Sequence, residues 1–356
     1  MIYLDNASST PMCDSARCAM EELLSSKNGV THCIDRYKKD FADIFGCDTD
    51  ELFFSCGGST GISEALRAVF EYGSSVERTG CVLSEIEHPS VYNSATELAY
   101  EHRHAYPKSD GYVHPEDIER LCDGSTACVC LMRANNITGV IQKIPDAYRI
   151  CKENGSMLFC DSVQAFGDIS ADKIIKNTDI AVISAHKFGG PKGFGIIYAS
   201  AECGVNRLLA RTERSHPDAV YAAGAVAAAK EVYRHTARIA ELKKILVSEI
   251  LKIEGASLLC PDSEQLTKTA AFLFDGTDGS ALASALDLRG VCVSAGAACS
   301  QGSTERALTA MGLGDRADRL IRFSLSAQNT EDEIRTACKL TAEAVYTIKK
   351  LQRAGR

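Results

Sequence analysis

"DIAVISAHKFGGPKGFGIIYA", residues 179–199, decides the fold. Two apolar runs, each too short for a helix, flank a polar turn rich in glycine. Apolar runs without polar alternation read as strands buried on both faces, the mark of a mostly parallel sheet between helical layers. The chain before them repeats the plan. "ELFFS" (51–55), "CVLS" (81–84), "ACVCLM" (127–132) and "SMLFCD" (156–161) read as strands. Between them, "GSTGISEALRAVFEY" (58–72), a stretch from about Pro89, "HPEDIERLC" (114–122) and "DAYRICKEN" (146–154) read as helices. Ser59 or Thr60 is the expected cap of the first of these. Two amphipathic helices, "CDSARCAMEELLSS" (13–26) and "IDRYKKDFADIFG" (34–46), precede the first strand.

The expected class is therefore α/β, with strands and helices alternating. A chain of 356 residues exceeds what one core usually holds, so a second unit is expected. An alanine-rich helical stretch from Asp218 to Ile253 reads as a spine leading into it. Beyond lie the strands "AAFLF" (270–274), "VCVS" (291–294) and "LIRFSLS" (320–326), a helix over 280–290, and a last helix from Thr330. The expected division is a large unit of 13–248 and a small one made of 1–12 with 249–356.

The net charge of −8 offers no basic stripe for a nucleic-acid backbone. No apolar run reaches the ~18 residues a membrane span needs. The opening "MIYLDNASSTP" lacks the basic and apolar regions of a signal peptide, so a cytoplasmic protein is expected. Sixteen cysteines then read mainly as reduced, buried small hydrophobes. No C-x-x-C pair occurs, and no metal site is expected. Cys128 and Cys130 alternate within a strand, which sends both thiols to one face.

Ligands of open α/β sheets bind beyond the carboxyl ends of the strands. Four polar clusters fall there: Gly57, Gly58 and Ser59; Glu87 and His88; Asp161 with Gln164; and Ser184, His186 and Lys187. Each alone has a bland reading as a turn, a cap or a surface charge. Together they match one cofactor, pyridoxal 5'-phosphate (PLP). It needs a lysine for a Schiff base, a carboxylate at the pyridine nitrogen, small donors for the phosphate, and a group against the ring. Lys187, Asp161, Ser59 with Ser184 and His186, and His88 fill these roles. Cys299, in "SAGAACSQG" (294–302), stands among small residues in an exposed turn between a strand and a helix, where a thiolate can act as nucleophile.

The strings "YLDNASSTP", "CGGST", "EHPSV", "ANNITGVIQ", "DSVQAFG", "SAHKFGGPKG", "SAGAACS" and "IRFSLS" resemble, in this order, the class V aminotransferases, specifically the NifS/IscS-like cysteine desulfurases. The resemblance implies PLP-dependent transferase fold type I, with a seven-stranded sheet, a smaller α/β C-terminal unit, and a homodimer. It implies removal of sulfur from L-cysteine to give L-alanine and a persulfide on Cys299, for a sulfur-acceptor or scaffold protein in iron–sulfur cluster assembly. Lys187 would carry the cofactor and Asp161 would pair with its pyridine nitrogen. Gln164 and Asn136 would lie near its phenolic oxygen, and His88 would stack on the ring. Gly58, Ser59, Ser184 and His186 would hold the phosphate. Arg322 would bind the substrate carboxylate, with Asn6, Ala7 and Asn136 beside the substrate. Lys187, Cys299 and His88 would be catalytic.

Departures cluster at the entrance. Where the family has Arg-Ser-Gly-Thr, this chain reads "LLARTERSHPDAV" (208–220), keeping only Arg214 and Ser215. "SSKNGVTHC" (25–33) replaces an Asn-Pro-Ser-Ser lid, the loop after Cys299 is short, and Thr60 stands where Glu is common. Two alternatives follow: a selenocysteine lyase or other sulfur–carbon lyase on the same floor, or a degenerate paralogue serving as a partner-binding or iron–sulfur scaffold.

Overall fold

The apolar runs pair into a seven-stranded sheet ordered β2-β8-β7-β6-β5-β3-β4. Its strands are β2 (Leu52–Ser55), β3 (Gly80–Ser84), β4 (Glu101–Ala105), β5 (Thr126–Cys130), β6 (Met157–Asp161), β7 (Ile180–Ser184) and β8 (Gly195–Ala199). Only β8 runs against its neighbours; β7, β6, β5, β3 and β4 are parallel. The computed structural model describes residues 1–25, 34–213, 218–296 and 303–354.

Every residue of β2, β3 and β5 to β8 is buried, which explains their unbroken apolar composition. One sheet face is covered by α3 (Gly58–Ser75) and α4 (Pro89–Leu98), through Ile62, Leu66, Val69 and Val91. On the other face, α5 (Pro115–Leu121) and α6 (Ile144–Asn154) contribute Ile118, Ile144 and Ile150. Beside them α1 (Asp14–Ser25), α2 (Ile34–Phe45) and α7 (Ala171–Ile175) pack with Phe41, Phe45 and Ile174 buried. The short α8 (Asn206–Thr212) follows β8.

The alanine-rich stretch is two helices, not one spine. Helix α9 (Ala219–Glu231) gives way to a 3-10 turn, Val232–His235, before α10 (Thr236–Ile250). The break falls at "VYRHT", where β-branched and aromatic residues replace alanine. Tyr233 Oη there donates to Ile169 O and Thr236 Oγ1 to Gly167 O, so tertiary bonds hold the bend.

The remainder builds a four-stranded antiparallel sheet from β9 (Ala256–Leu258), β10 (Thr269–Phe274), β12 (Ser294–Ala295) and β13 (Leu320–Ser324). "VCVS" is split, because Val291–Cys292 is a separate strand, β11, paired with β1 (Ile2–Tyr3). Helices α10, α11 (Gly279–Asp287) and α13 (Glu331–Ala354) pack there around Phe272, Phe274 and Phe323. Thr330 and Glu333 cap α13 reciprocally: Glu333 N donates to Thr330 Oγ1, and Thr330 N donates to Glu333 Oε2. Helix α12 (Ser303–Ala310) buries Ala307 and Leu308. The N-terminal segment thus joins the C-terminal strands and runs from them across the mouth of the large sheet.

Candidate active site

The carboxyl ends of β6 and β7 open toward this N-terminal segment. Lys187 follows β7 in a one-turn 3-10 helix, Ala185–Lys187. Its Nζ donates to the carbonyls of Ala7 and Ser8, both at 2.7 Å. Burial, then the charges of Arg322 and Lys268, lower its pKa to about 8. The amine is therefore readily available uncharged. Asp161 ends β6, is 4% exposed, and accepts Val163 N at 2.9 Å. Burial raises its pKa to about 6, against the pull of that hydrogen bond and of Lys187.

Lys187, His88, Asn136, Gln164 and Arg322 line one cleft of about 230 Å³, with Ala7, Ser8 and Ser294. Gln164 is fixed by its Nε2 donating to Ala7 O at 2.9 Å. Asn135, the residue before Asn136 in the sequence motif, shapes the turn: its Oδ1 accepts Ile137 N and Thr138 N, which leaves Asn136 to face the cleft. His88 caps α4, with Ser90 N donating to its Nδ1 at 3.2 Å. The imidazole faces the open cleft, yet the protein around it desolvates it. That effect, with the charges of Lys187 and Arg306, lowers its pKa to about 4.

Ser184, His186 and Gly58 meet beside the start of α3. Gly58 N donates to Ser184 Oγ at 3.2 Å, and Ser184 Oγ lies 2.9 Å from His186 Nδ1. Neither Ser59 nor Thr60 is the cap. Gly57 holds that position at φ +125°, in a region that disfavours side chains, so the helix begins two residues earlier than a cap at Ser59 would set it. Ser59 and Thr60 then stand exposed in the first turn. This end of the site is a long helix's N-terminus with small polar groups, the usual setting for a phosphate.

Arg322, on β13, is held from three sides. Its Nη2 donates to Asp5 Oδ1 at 2.8 Å and to Ser294 Oγ at 2.9 Å, and its Nη1 to Asn136 O at 2.9 Å. Its Nε is buried with no partner among the described residues. Of five guanidinium N–H groups, the Nε–H and one Nη1–H are left unclaimed by those residues. Asn6 does not line the cleft. It is 2% exposed, and its Nδ2 donates to Ser324 O at 2.8 Å, tying the N-terminal segment to β13. Asp5, Ser294, Arg306 and the carbonyls of Ala7 and Ser8 are the contributors that motif reading passes over. Only the apolar-then-polar switch within "YLDNASS" hints at the first. Cys299, Arg214, Ser215 and most of the lid segment 25–33 lie outside the described residues.

Cys128 and Cys130 do share one face of β5. With Cys81 of β3 they form a buried triangle, Sγ to Sγ 3.8–3.9 Å, under α3 and α4. The two neighbouring thiols and burial raise the pKa of Cys130. The triangle packs the core away from the cleft.

The donor set fits PLP. A half-buried lysine with a lowered pKa, a buried carboxylate on the neighbouring strand, an imidazole facing the cleft and a helix N-terminus are what the cofactor's aldehyde, ring nitrogen, ring face and phosphate require.

The class-V aminotransferase family pattern matches residues 2–209 and 218–336. Cysteine desulfurase IscS of Dictyoglomus turgidum is 28% identical over 361 residues, 94% of this chain and 91% of that protein. Cysteine desulfurase IscS of Methanosarcina thermophila is 26% identical, covering 98% of this chain and 93% of its own. A solved NifS-like protein superposes with a TM-score of 0.86 at 28% identity, covering 97% of this chain and 99% of the other. No helix among the described residues is long and apolar enough to cross a membrane. With its sheet order, its cleft and a match over most of its length in agreement, the chain belongs to the class-V aminotransferase family.

Proposed function

We propose that the protein is a PLP-dependent cysteine desulfurase that converts L-cysteine to L-alanine and carries the released sulfur as a persulfide on Cys299. What supports this reading most is the convergence of Lys187, His88, Gln164, Asn136 and Arg322 on one cleft. In this reading residues 13–248 supply the cofactor floor, while 1–12 and 249–356 supply the substrate's carboxylate site.

Lys187, Asp161, His88, Gln164 and the Gly58–Ser184–His186 corner would hold PLP. The bound cofactor supplies an electron sink for the substrate bonds that change. Lys187, uncharged far more often near neutral pH than an ordinary lysine, takes the Cα proton on Nζ and returns it. Arg322 orients the carboxylate through its unclaimed Nη1–H, while Asp5 keeps the guanidinium from swinging out. His88 meets the substrate uncharged, with Nδ1 held by Ser90 and Nε2 left to exchange a proton. Cys299 as thiolate attacks the substrate sulfur. The new S–S bond forms as the Cβ–S bond breaks with its electron pair left on carbon. That carbon gains a proton, so cysteine plus thiol becomes alanine plus persulfide. A homodimer, a sulfur-acceptor protein and a cytoplasmic setting belong to the same proposal.

The test is alanine production from L-cysteine by the PLP-loaded protein, with bound sulfane sulfur counted per chain. Equal alanine and sulfane sulfur in the first turnover is the expected result. Alanine formation that survives Cys299→Ala would remove the persulfide role and favour a lyase acting on another substrate.

A further inference from the structure

Arg306 on α12 lies outside the cleft, and no step above uses it. Its guanidinium nevertheless spans the turn that carries His88. Nη2 donates to Glu87 O at 2.5 Å and Nε to Glu85 O at 3.4 Å. The Glu85 carboxylate stands 3.6 Å from Nε. The planar face lies 3.9 Å from the ring centroid of Tyr92, in the helix that His88 caps. Two carbonyls, a carboxylate and an aromatic face use the fork, the charge and the flat surface of arginine together. Lysine offers only the charge.

We propose that Arg306 is a positioning residue for His88, clamping the 85–88 turn and the start of α4 onto α12. Glu87 strengthens the attachment from the other side. Its backbone carbonyl takes Arg306, while its buried side-chain Oε1 accepts Ser84 Oγ and Met132 N, each at 2.6 Å. His88 is thus fixed by its neighbour on both sides of the chain: Glu87 is anchored to the sheet and to α12, and Ser90 holds the ring.

The clamp also carries charge to the imidazole. Lys187 faces His88 from the turn after β7, and Arg306 faces it from α12; both push its pKa down after desolvation. Arg322 on β13 shares the cleft, Asp161 of β6 lies near Lys187 and Glu87, and Tyr92 stands further along α4. Of the two described cations that lower the His88 pKa, Arg306 is the one that neither joins the cofactor nor meets the substrate. Removing it therefore alters the tuning of His88 without altering the floor.

This inference rests on the desulfurase reading only for what His88 acts on. The experiment compares PLP-loaded, full-length Arg306→Met and Arg306→Lys with the unaltered protein. The His88 ring is titrated by NMR, assigned by its loss in His88→Gln, and kcat and KM for L-cysteine are measured across pH. In Arg306→Met the His88 midpoint should rise, by less than the part that burial supplies. Its kcat should fall about tenfold with KM within about twofold, because the base is misplaced while Arg322 still binds substrate. Arg306→Lys should hold the midpoint low yet lose part of kcat, which separates charge from clamp and stands in if the methionine variant does not fold. An unchanged titration and kcat in either foldable variant overturns the clamp. Absence of alanine from the unaltered protein overturns the desulfurase reading instead, and the titration alone then decides the role of Arg306.

Discussion

Nη2 of Arg322 donates to Asp5 Oδ1 at 2.8 Å, joining the fifth residue of the chain to the last strand of the small sheet. Both side chains are nearly buried, at 10% and 14% exposure. Removing one partner of a buried pair leaves an uncompensated charge and typically costs about 3 kcal/mol. Asp5→Ala should therefore lower the unfolding free energy by roughly that amount in denaturant titration. It should also raise KM for L-cysteine more than it lowers kcat, since Arg322 loses its brace. Asp5→Asn, which can still accept from Ser294 and Arg322, should lose less of both.

Lys187 predicts a pH dependence for cofactor uptake. Only the uncharged amine can join an aldehyde, and its pKa is lowered to about 8 by burial and by Arg322 and Lys268. The second-order rate of PLP binding to cofactor-free protein should rise with pH and level off above about 8. A midpoint near the ordinary lysine value would mean the amine is not desolvated. Lys187→Ala should abolish both covalent attachment and turnover.

Glu87 predicts a slope in stability. Burial raises its pKa from 4.5 to about 8, with Asp161 adding to the rise and the Ser84 hydrogen bond opposing it. Between these values the unfolded chain sheds a proton that the folded chain keeps. The contribution of Glu87 to stability is therefore full at low pH and is lost as pH rises through that window. Glu87→Gln keeps the neutral shape, so it should gain stability relative to the parent, by up to a few kcal/mol, between about pH 5 and pH 8. Parallel curves from chemical denaturation would contradict the buried, protonated assignment.

Ser184 tests the phosphate corner. Its hydroxyl accepts Gly58 N and lies against His186 Nδ1. Ser184→Ala leaves a buried N–H without its acceptor and removes one polar group from the helix N-terminus, a loss of about 1–2 kcal/mol. PLP dissociation, followed by dialysis and absorbance, should speed up about tenfold, with little change in the pH dependence of turnover. Unaltered retention would place the phosphate elsewhere.

The sheet was legible because its strands are buried on both faces and so carry no polar interruptions. Strand β4, "EHRHA", was not legible: it is an edge strand in which Ala105 alone is buried, and no apolar run marks it. The break between α9 and α10 also escaped reading, since it depends on bonds from Tyr233 and Thr236 to residues nearly seventy positions earlier in the chain. Lys187, Asp161 and His88 were readable because each follows an apolar strand, where ligands gather. Asp5, Ser294 and Arg306 were not, because each earns its place through a partner distant in sequence. Asn6 shows the converse: its position in a family motif pointed to the substrate, while its amide goes to the backbone of Ser324.

Mass spectrometry of the peptide bearing Cys299, after one turnover of the PLP-loaded protein with L-cysteine, tests the central claim most directly. The account predicts a gain of one sulfur atom on Cys299, removable by a reducing thiol, absent in Lys187→Ala, and matched mole for mole by alanine. Alanine released while Cys299 keeps its original mass, or sulfur found on another cysteine, would contradict it.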